Sequence, residues 1–278
     1  MKLEVLLSTM NLKNYKENIK LIQKENITTN SLTINQITNS NIEEFNNANL
    51  KEKNRIITKN EIGLSRSRNL AIKESKADIC ILADDDLIYE KDYDKIIKEE
   101  YQKNKNIDII CFFVESNNKT RRIKRMITSK IDKLRAMRIC SFQITFRRKS
   151  IMEHKIKFDE NFGAGTYFDR GEETIFLWEC INKGLKVKFV NKKIATVNQQ
   201  ESNWFKGYDK TFFEKQGAVF YRMSSKFYRI LILQFAIRKY GLYKKELKVK
   251  EAISNMMLGA NKYKEEQRYK FYKLNKRA

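Results

Sequence analysis

The sequence predicts an α/β fold: a mostly parallel sheet with helices on both faces, followed by a helical extension. Three observations carry this. Over the first 118 residues, short apolar runs alternate with helix-like stretches, the pattern of strand–helix–strand units. The run Ile79–Ala83 is apolar without alternation, as expected of a strand buried on both faces. From about Asp209 onward only helical patterning remains.

The elements follow in order. Leu3–Ser8 reads as the opening strand, Leu12–Lys24 as a helix and Leu32–Ile37 as a second strand, ahead of an Asn-rich loop. Arg55–Thr58 is a short third strand. Gly63 then breaks the chain, Ser65 is placed to cap, and Arg66–Lys76 reads as a helix. After Ile79–Ala83 come a helix over Tyr93–Lys103 and an apolar strand over Ile107–Val114. Beyond residue 118 the pattern changes. Lys119–Met137 is a basic helical stretch, Ile139–Phe146 a strand, and 158–171 a glycine-containing loop. A helix over Glu172–Lys183 ends at Gly184, a residue suited to the left-handed turn that closes a helix, and Leu185–Val190 is a strand. The expected division is an α/β domain over 1–200, with halves 1–118 and 119–200, and a basic, aromatic helical extension over 201–278.

At 278 residues with 41% hydrophobic content, the chain has enough apolar surface for a substantial core, which excludes wholesale disorder. No apolar run approaches the ~20 residues that span a bilayer, and the first residues lack the long apolar stretch of a signal peptide. The four cysteines, Cys80, Cys111, Cys140 and Cys180, form no CxxC pair and read as buried free thiols of a reducing cytosol. His154, the sole histidine, has no second His or Cys at ligand spacing and reads as a solvated loop residue.

The net charge is +23, but residues 119–149 carry +11 of it and residues 221–278 another +12. A near-neutral body thus bears two basic segments, which attract polyanions or form a solvated lysine-rich surface. No nucleic-acid-binding module is visible, and none is expected as a partner.

Three motifs bear on chemistry. Asp84-Asp85-Asp86 directly follows a buried strand, and open α/β sheets bind ligands beyond the carboxyl ends of their strands. Three adjacent acids repel one another unless a cation lies among them, and hard carboxylate oxygens suit Mg²⁺ or Mn²⁺. The plainer reading is an acidic loop capping the next helix. Leu64-Ser65-Arg66-Ser67-Arg68-Asn69 puts two arginines in the first turn of a helix, unfavourable to the helix dipole unless an anion is near. Phe162-Gly163-Ala164-Gly165-Thr166-Tyr167 leads to Gly171-Glu172-Glu173, a carboxylate pair at a helix start that either supplies a general base or offsets the dipole.

In this order, behind an opening strand ending Ser8-Thr9-Met10-Asn11, these motifs resemble family 2 glycosyltransferases of the GT-A fold over residues 1–200. The resemblance implies a nucleotide-sugar donor, usually UDP-linked, a divalent metal (Mn²⁺ or Mg²⁺), and inversion at the sugar. By position it assigns Asp84 and Asp86 to the metal, and Thr9, Gln36, Arg68, Asp84 and Asp85 to the nucleotide sugar. Glu173 becomes the catalytic base, with Glu172 beside it in place of the usual Glu-Asp order. Asn35-Gln36 stands where the family often has an acid.

The implied activity is sugar transfer to a glycan or lipid-linked acceptor in surface polysaccharide synthesis. A soluble transferase acting on protein or a small acceptor, and a non-catalytic polyanion- or membrane-binding protein, are the alternatives. Within Phe227–Ile237 and the residues after it, basic and apolar side chains interleave. That pattern suits a helix lying on anionic lipid at the inner face of the cell membrane, or one packed on the catalytic domain. Asn203-Trp204-Phe205 and Phe212-Phe213 either flank an acceptor or belong to the core.

Overall fold

A computed structural model describes residues 1–39, 46–47, 53–118, 123, 125–126, 128–198 and 207–275, with only the backbone at 46–47 and 268–275. The first half runs β1 (Leu3–Met10), α1 (Tyr15–Lys24), β2 (Asn30–Gln36), β3 (Asn46–Asn47), β4 (Asn54–Lys59), α2 (Leu64–Glu74), β5 (Ile79–Asp84), β6 (Leu87–Tyr89), α3 (Tyr93–Lys103) and β7 (Ile109–Ser116). The second half adds α4 (Lys133–Ala136), β8 (Ile144–Arg147), α5 (Arg148–Glu153), α6 (Glu172–Asn182), β9 (Val187–Val197), α7 (Lys210–Met223), α8 (Tyr228–Tyr243) and α9 (Val249–Asn275).

The sheet order is β3-β4-β2-β1-β5-β8-β7-β9-β6. Strands β4, β2, β1 and β5 are mutually parallel, so Lys59, Gln36, Met10 and Asp84 end on one edge of the sheet. Strand β8 runs antiparallel between β5 and β7, and β9 is parallel to β7 with a register shift near Phe113. Both faces are covered. Leu6, Leu32, Ile34 and Leu82 meet Ala71 and Ile72 of α2, while Leu3, Val5, Leu7 and Ile81 meet Ile22 of α1 and Tyr93, Ile97 and Tyr101 of α3. This double burial is why the central strands lack polar alternation.

Several boundaries differ from the sequence expectation. Helix α1 starts at Tyr15, because Asn14 adopts extended backbone and its side chain accepts the Glu17 amide. Helix α2 starts at Leu64, two residues early, and Ser65 does not cap it. The expected helix over Lys119–Met137 is not formed as one element; part of the segment lies outside the described residues. Lys130 bridges Lys188 and the Ile131 amide donates to Val187, so the chain runs alongside β9. Among the described residues of the segment, only Lys133–Ala136 turns helical, capped by Asp132. The strand expected from Ile139 begins at Ile144, after a 3-10 turn over Ser141–Gln143, since the Gln143 side chain holds the Cys140 amide and the Phe112 carbonyl. Strand β9 runs past Val190 to Val197, because Ile194, Ala195 and Val197 continue the buried face.

The last three helices share a core with the loop before α6. Phe162, Phe168, Ile175 and Trp178 cluster with Phe213, Phe220, Leu231, Met256 and Tyr263. Helices α7 and α9 touch backbone to backbone: a Cβ on Gly217 would strike the Met256 carbonyl, and one on Gly259 the Glu214 carbonyl. All four cysteines are free, and His154 is exposed, its Nδ1 2.9 Å from the Ser150 carbonyl oxygen.

Candidate active site

The site forms where the parallel strands end. Register pairing sets Ser8 of β1 beside Asp84 of β5, and Thr9 follows; its hydroxyl donates to Asp85 Oδ2 at 2.7 Å. The Gln36 side chain, at the end of β2, makes a two-point contact with the Gly63 backbone: Nε2 donates to the Gly63 carbonyl and Oε1 accepts its amide, each at 3.1 Å. Asn35 does the same with Leu12, both bonds at 2.9 Å. The Asn35-Gln36 pair thereby fixes two loops at the mouth of the cleft.

Arg68 lies at the centre. It is only 1% exposed, and its guanidinium spans two acids: Nη1 donates to Glu172 Oε1 at 2.9 Å and Nη2 to Asp84 Oδ1 at 3.0 Å. Burial alone would lower its affinity for the proton, but Asp84 and Glu172 more than offset that, so the charge is retained. The other Asp84 oxygen accepts from Ser141 Oγ at 3.1 Å. Arg68 thus ties the strand-end acids to the carboxylate pair at the start of α6.

The rest of the arginine-bearing motif grips the loop leading to that pair. The Leu64 amide donates to Ala164, Ser65 Oγ to the Phe162 carbonyl, and Arg66 pairs with Glu160. Asn69 accepts the Phe158 amide and donates to its carbonyl. The Ala164 carbonyl therefore takes one of the free amides at the α2 amino end, where an anion would otherwise be favoured. The glycines serve close approach: Gly163, at φ 101°, leaves room for the Glu172 side chain, and Gly171, at φ 80°, lies against Val219 of α7.

Glu173 stands half-buried in the first turn of α6. Burial, then the neighbouring Glu172 charge, push its carboxyl up to about 8, with the Arg68 charge opposing. Among the three aspartates, Asp86 is the one with a buried side-chain oxygen, Oδ1, that has no partner, and burial with the Asp84 and Asp85 charges push the group up to about 6. No three His, Cys, Asp or Glu side chains among the described residues form a metal cage. An open Asp86 oxygen beside Asp84, whose two oxygens are both engaged, fits a Mg²⁺-type ion held mainly by diphosphate and water, and does not fit a cage made wholly of protein.

Sequence reasoning missed two residues here. Ser141 lies at the end of a segment read as a strand and offers no motif. Glu25, which follows α1, is fully buried with neither carboxyl oxygen partnered, and burial followed by the Asp85 and Asp86 charges push it up to about 9. An acid closing an amphipathic helix gives no sequence signal of such burial. Phe213 belongs to the core, whereas Asn203-Trp204-Phe205 lie outside the described residues.

This architecture, a mostly parallel sheet covered by helices on both faces with helices added at the C-terminus, is that of the GT-A fold. Residues 35–168 match the sequence model described as Glycosyl transferase family 2, which bears out the resemblance read from the motifs. The match includes Gln36, Arg68 and Asp84–Asp86 and ends just before Glu172. No curated protein sequence matches the chain. Among solved structures, S. aureus TarS 1-349 in complex with UDP-GlcNAc superimposes with a TM-score of 0.63 at 13% identity, over 94% of this chain and 82% of that one. The same fragment in complex with UDP gives 0.61 at 14% identity, over 93% and 81%. The structure titled S. aureus TarS gives 0.59 at 13% identity, over 93% of this chain and 49% of that chain. At such identity the likeness is one of fold, and it takes in most of this chain.

Proposed function

We propose that the protein is an inverting glycosyltransferase that moves a sugar from a UDP-linked donor to a hydroxyl of a glycan or lipid-linked acceptor in surface polysaccharide synthesis. One observation carries the reading: a single buried guanidinium holds Asp84 of the donor side and Glu172, the neighbour of the base, at 3.0 and 2.9 Å. The UDP and UDP-GlcNAc named for the TarS structures support the choice of donor.

Glu173 is the base. Its raised proton affinity makes it a stronger base than an ordinary carboxylate, so it takes the acceptor proton as that oxygen bonds to the anomeric carbon. The bond from that carbon to the diphosphate breaks on the opposite face, and the centre inverts. Thr9 and Gln36 shape the nucleotide end, Thr9 by orienting Asp85 and Gln36 by fixing Gly63. Asp84 and Asp85 face the donor, and Arg68 keeps Asp84 and Glu172 in register. Asp86, with its open oxygen, would hold Mn²⁺ or Mg²⁺ together with Asp84, and that ion would neutralise charge on the departing diphosphate.

The protein works from the cytoplasm, peripherally on the inner membrane face; its +12 charge over residues 221–278 supports this location. The test is release of UDP from a panel of UDP-sugars with added Mn²⁺ or Mg²⁺, with and without candidate acceptors. Metal-dependent release that Glu173→Gln abolishes supports the proposal. Absence of release and of UDP binding throughout the panel overturns it in favour of a non-catalytic polyanion-binding protein.

A further inference from the structure

Helix α8 is apolar around most of its circumference, yet only one side is packed. Tyr228, Leu231, Ile232, Ala236 and Tyr243 are buried in the core shared with α7 and α9. The opposite side is open: Phe227 is 52% exposed, Ile230 64%, Leu233 50%, Ile237 61% and Tyr240 39%. At 100° per residue, Ile230, Leu233, Ile237 and Tyr240 fall within an arc of about 80°, opposite the packed face. Arg229 and Arg238 are exposed on either side of this stripe, and Lys226 and Lys244 at its two ends. From Lys215 to Lys245 the chain contains no Asp or Glu.

We propose that this outward face of α8 is a docking surface for an anionic lipid bilayer. The helix, about 24 Å long at 1.5 Å per residue, lies flat. Its stripe enters the boundary between headgroups and acyl chains, while the four basic residues meet lipid phosphates. No helix among the described residues is long and apolar enough to cross a membrane, which agrees with lying on the surface. Charge complementarity decides the occupant. A second copy seated on the same stripe would bring two acid-free basic rims together, whereas an anionic surface neutralises them. The inference gives a molecular surface to the membrane location proposed above, and its test needs no catalysis.

The full chain is sedimented with phosphatidylcholine vesicles, with and without phosphatidylglycerol, at low and high salt. Binding to the phosphatidylglycerol vesicles should be weakened but not lost in high salt, since apolar insertion is little screened. The triple variant Ile230→Gln/Leu233→Gln/Ile237→Gln should keep the parent melting temperature and bind at least about tenfold more weakly, losing the salt-resistant fraction. Arg229→Gln/Arg238→Gln should lose the low-salt gain instead. A parent that stays in the supernatant at low salt, or a triple variant that binds as the parent does, overturns the proposal. So does sedimentation velocity that finds a dimer which the triple variant converts to monomer. UDP release measured without vesicles separates the two readings: vesicle binding without release removes the catalytic reading alone, and release without vesicle binding removes this one alone.

Discussion

Replacing Arg68 by Met deletes a charge while keeping a side chain of similar length, and leaves two acids facing each other. Arg68 and Glu172 are 2% and 10% exposed, so that half of the tie is fully buried; Asp84, at 31%, is partly screened by solvent. Removing one partner of a buried pair costs about 3–5 kcal/mol, and an exposed pair at most ~1 kcal/mol. Taking the lower end for Glu172 and a fraction of 1 kcal/mol for Asp84 gives about 3–4 kcal/mol, or a melting temperature lower by roughly 6–16 °C for a chain of this size. Arg68→Lys should recover less than half of the loss, because one ammonium cannot span both carboxylates. Thermal unfolding measures the stability, and calorimetry with UDP well below the transition measures donor affinity. If Arg68 acts as a tie, the double variant with Glu172→Gln should be less destabilised than the sum of the single changes. A melting temperature within 2 °C of the parent, with UDP affinity nonetheless reduced at least tenfold, would refute this reasoning and make Arg68 a direct phosphate or base contact.

Glu173→Gln should lower turnover by about 10²-fold or more with UDP binding intact, and if Glu172→Gln proves the damaging change instead, the base has been misassigned. Because the base must be deprotonated and its carboxyl is pushed up, parent turnover should rise with pH toward about 8, and a flat profile over pH 6–8 would count against Glu173. EDTA should abolish UDP release and Mn²⁺ or Mg²⁺ restore it, while Asp86→Ala should remain folded but inactive; undiminished turnover in EDTA removes the metal. Glu25 is held protonated in the folded state, its carboxyl raised from 4.5 to about 9. The folded chain therefore binds a proton that the unfolded chain releases, and stability falls as pH rises through that window. Glu25→Gln should flatten that decline in melting temperature, and an unaltered slope in the variant would assign it to other groups.

The sheet was legible because its strands are buried on both faces, and continuous runs such as Ile79–Ala83 have no other economical explanation. The acids at the end of β5 and the pair at the start of α6 were legible for a related reason: charge at a strand end or helix start has a local signature. What joins them was not. Arg68 reads as a phosphate ligand in the sequence because a basic first turn is mismatched with the helix dipole. In the structure the anions that balance it are Asp84 and Glu172, the latter 104 residues away. Local pattern reports that a counter-charge is needed but not which one is supplied. The stretch Lys119–Met137 departs from its expected helix: its composition allows one, but at Ser129–Ile131 pairing with β9 takes the backbone groups. In α8 the sequence left membrane and core as alternatives, and the helix packs one side and exposes the other.

The core shared by the loop and the last helices has a consequence for how the chain reaches its active form. The Tyr263 ring lies tilted against that of Phe162, their centroids 5.0 Å apart, and its hydroxyl donates to Asp159, 104 residues earlier in the chain. A ribosome adding 5–20 residues per second takes about 5–20 s to cover that interval. Until α9 is made, the segment leading to Glu172 and Glu173 lacks part of the surface it rests on. The sheet can form early, but the loop leading to Glu172 gains its last packing surface only when α9 has left the ribosome. A nascent chain therefore holds its strand-end acids before it holds Glu172 and Glu173 in place, and the two come into register only once α9 is made.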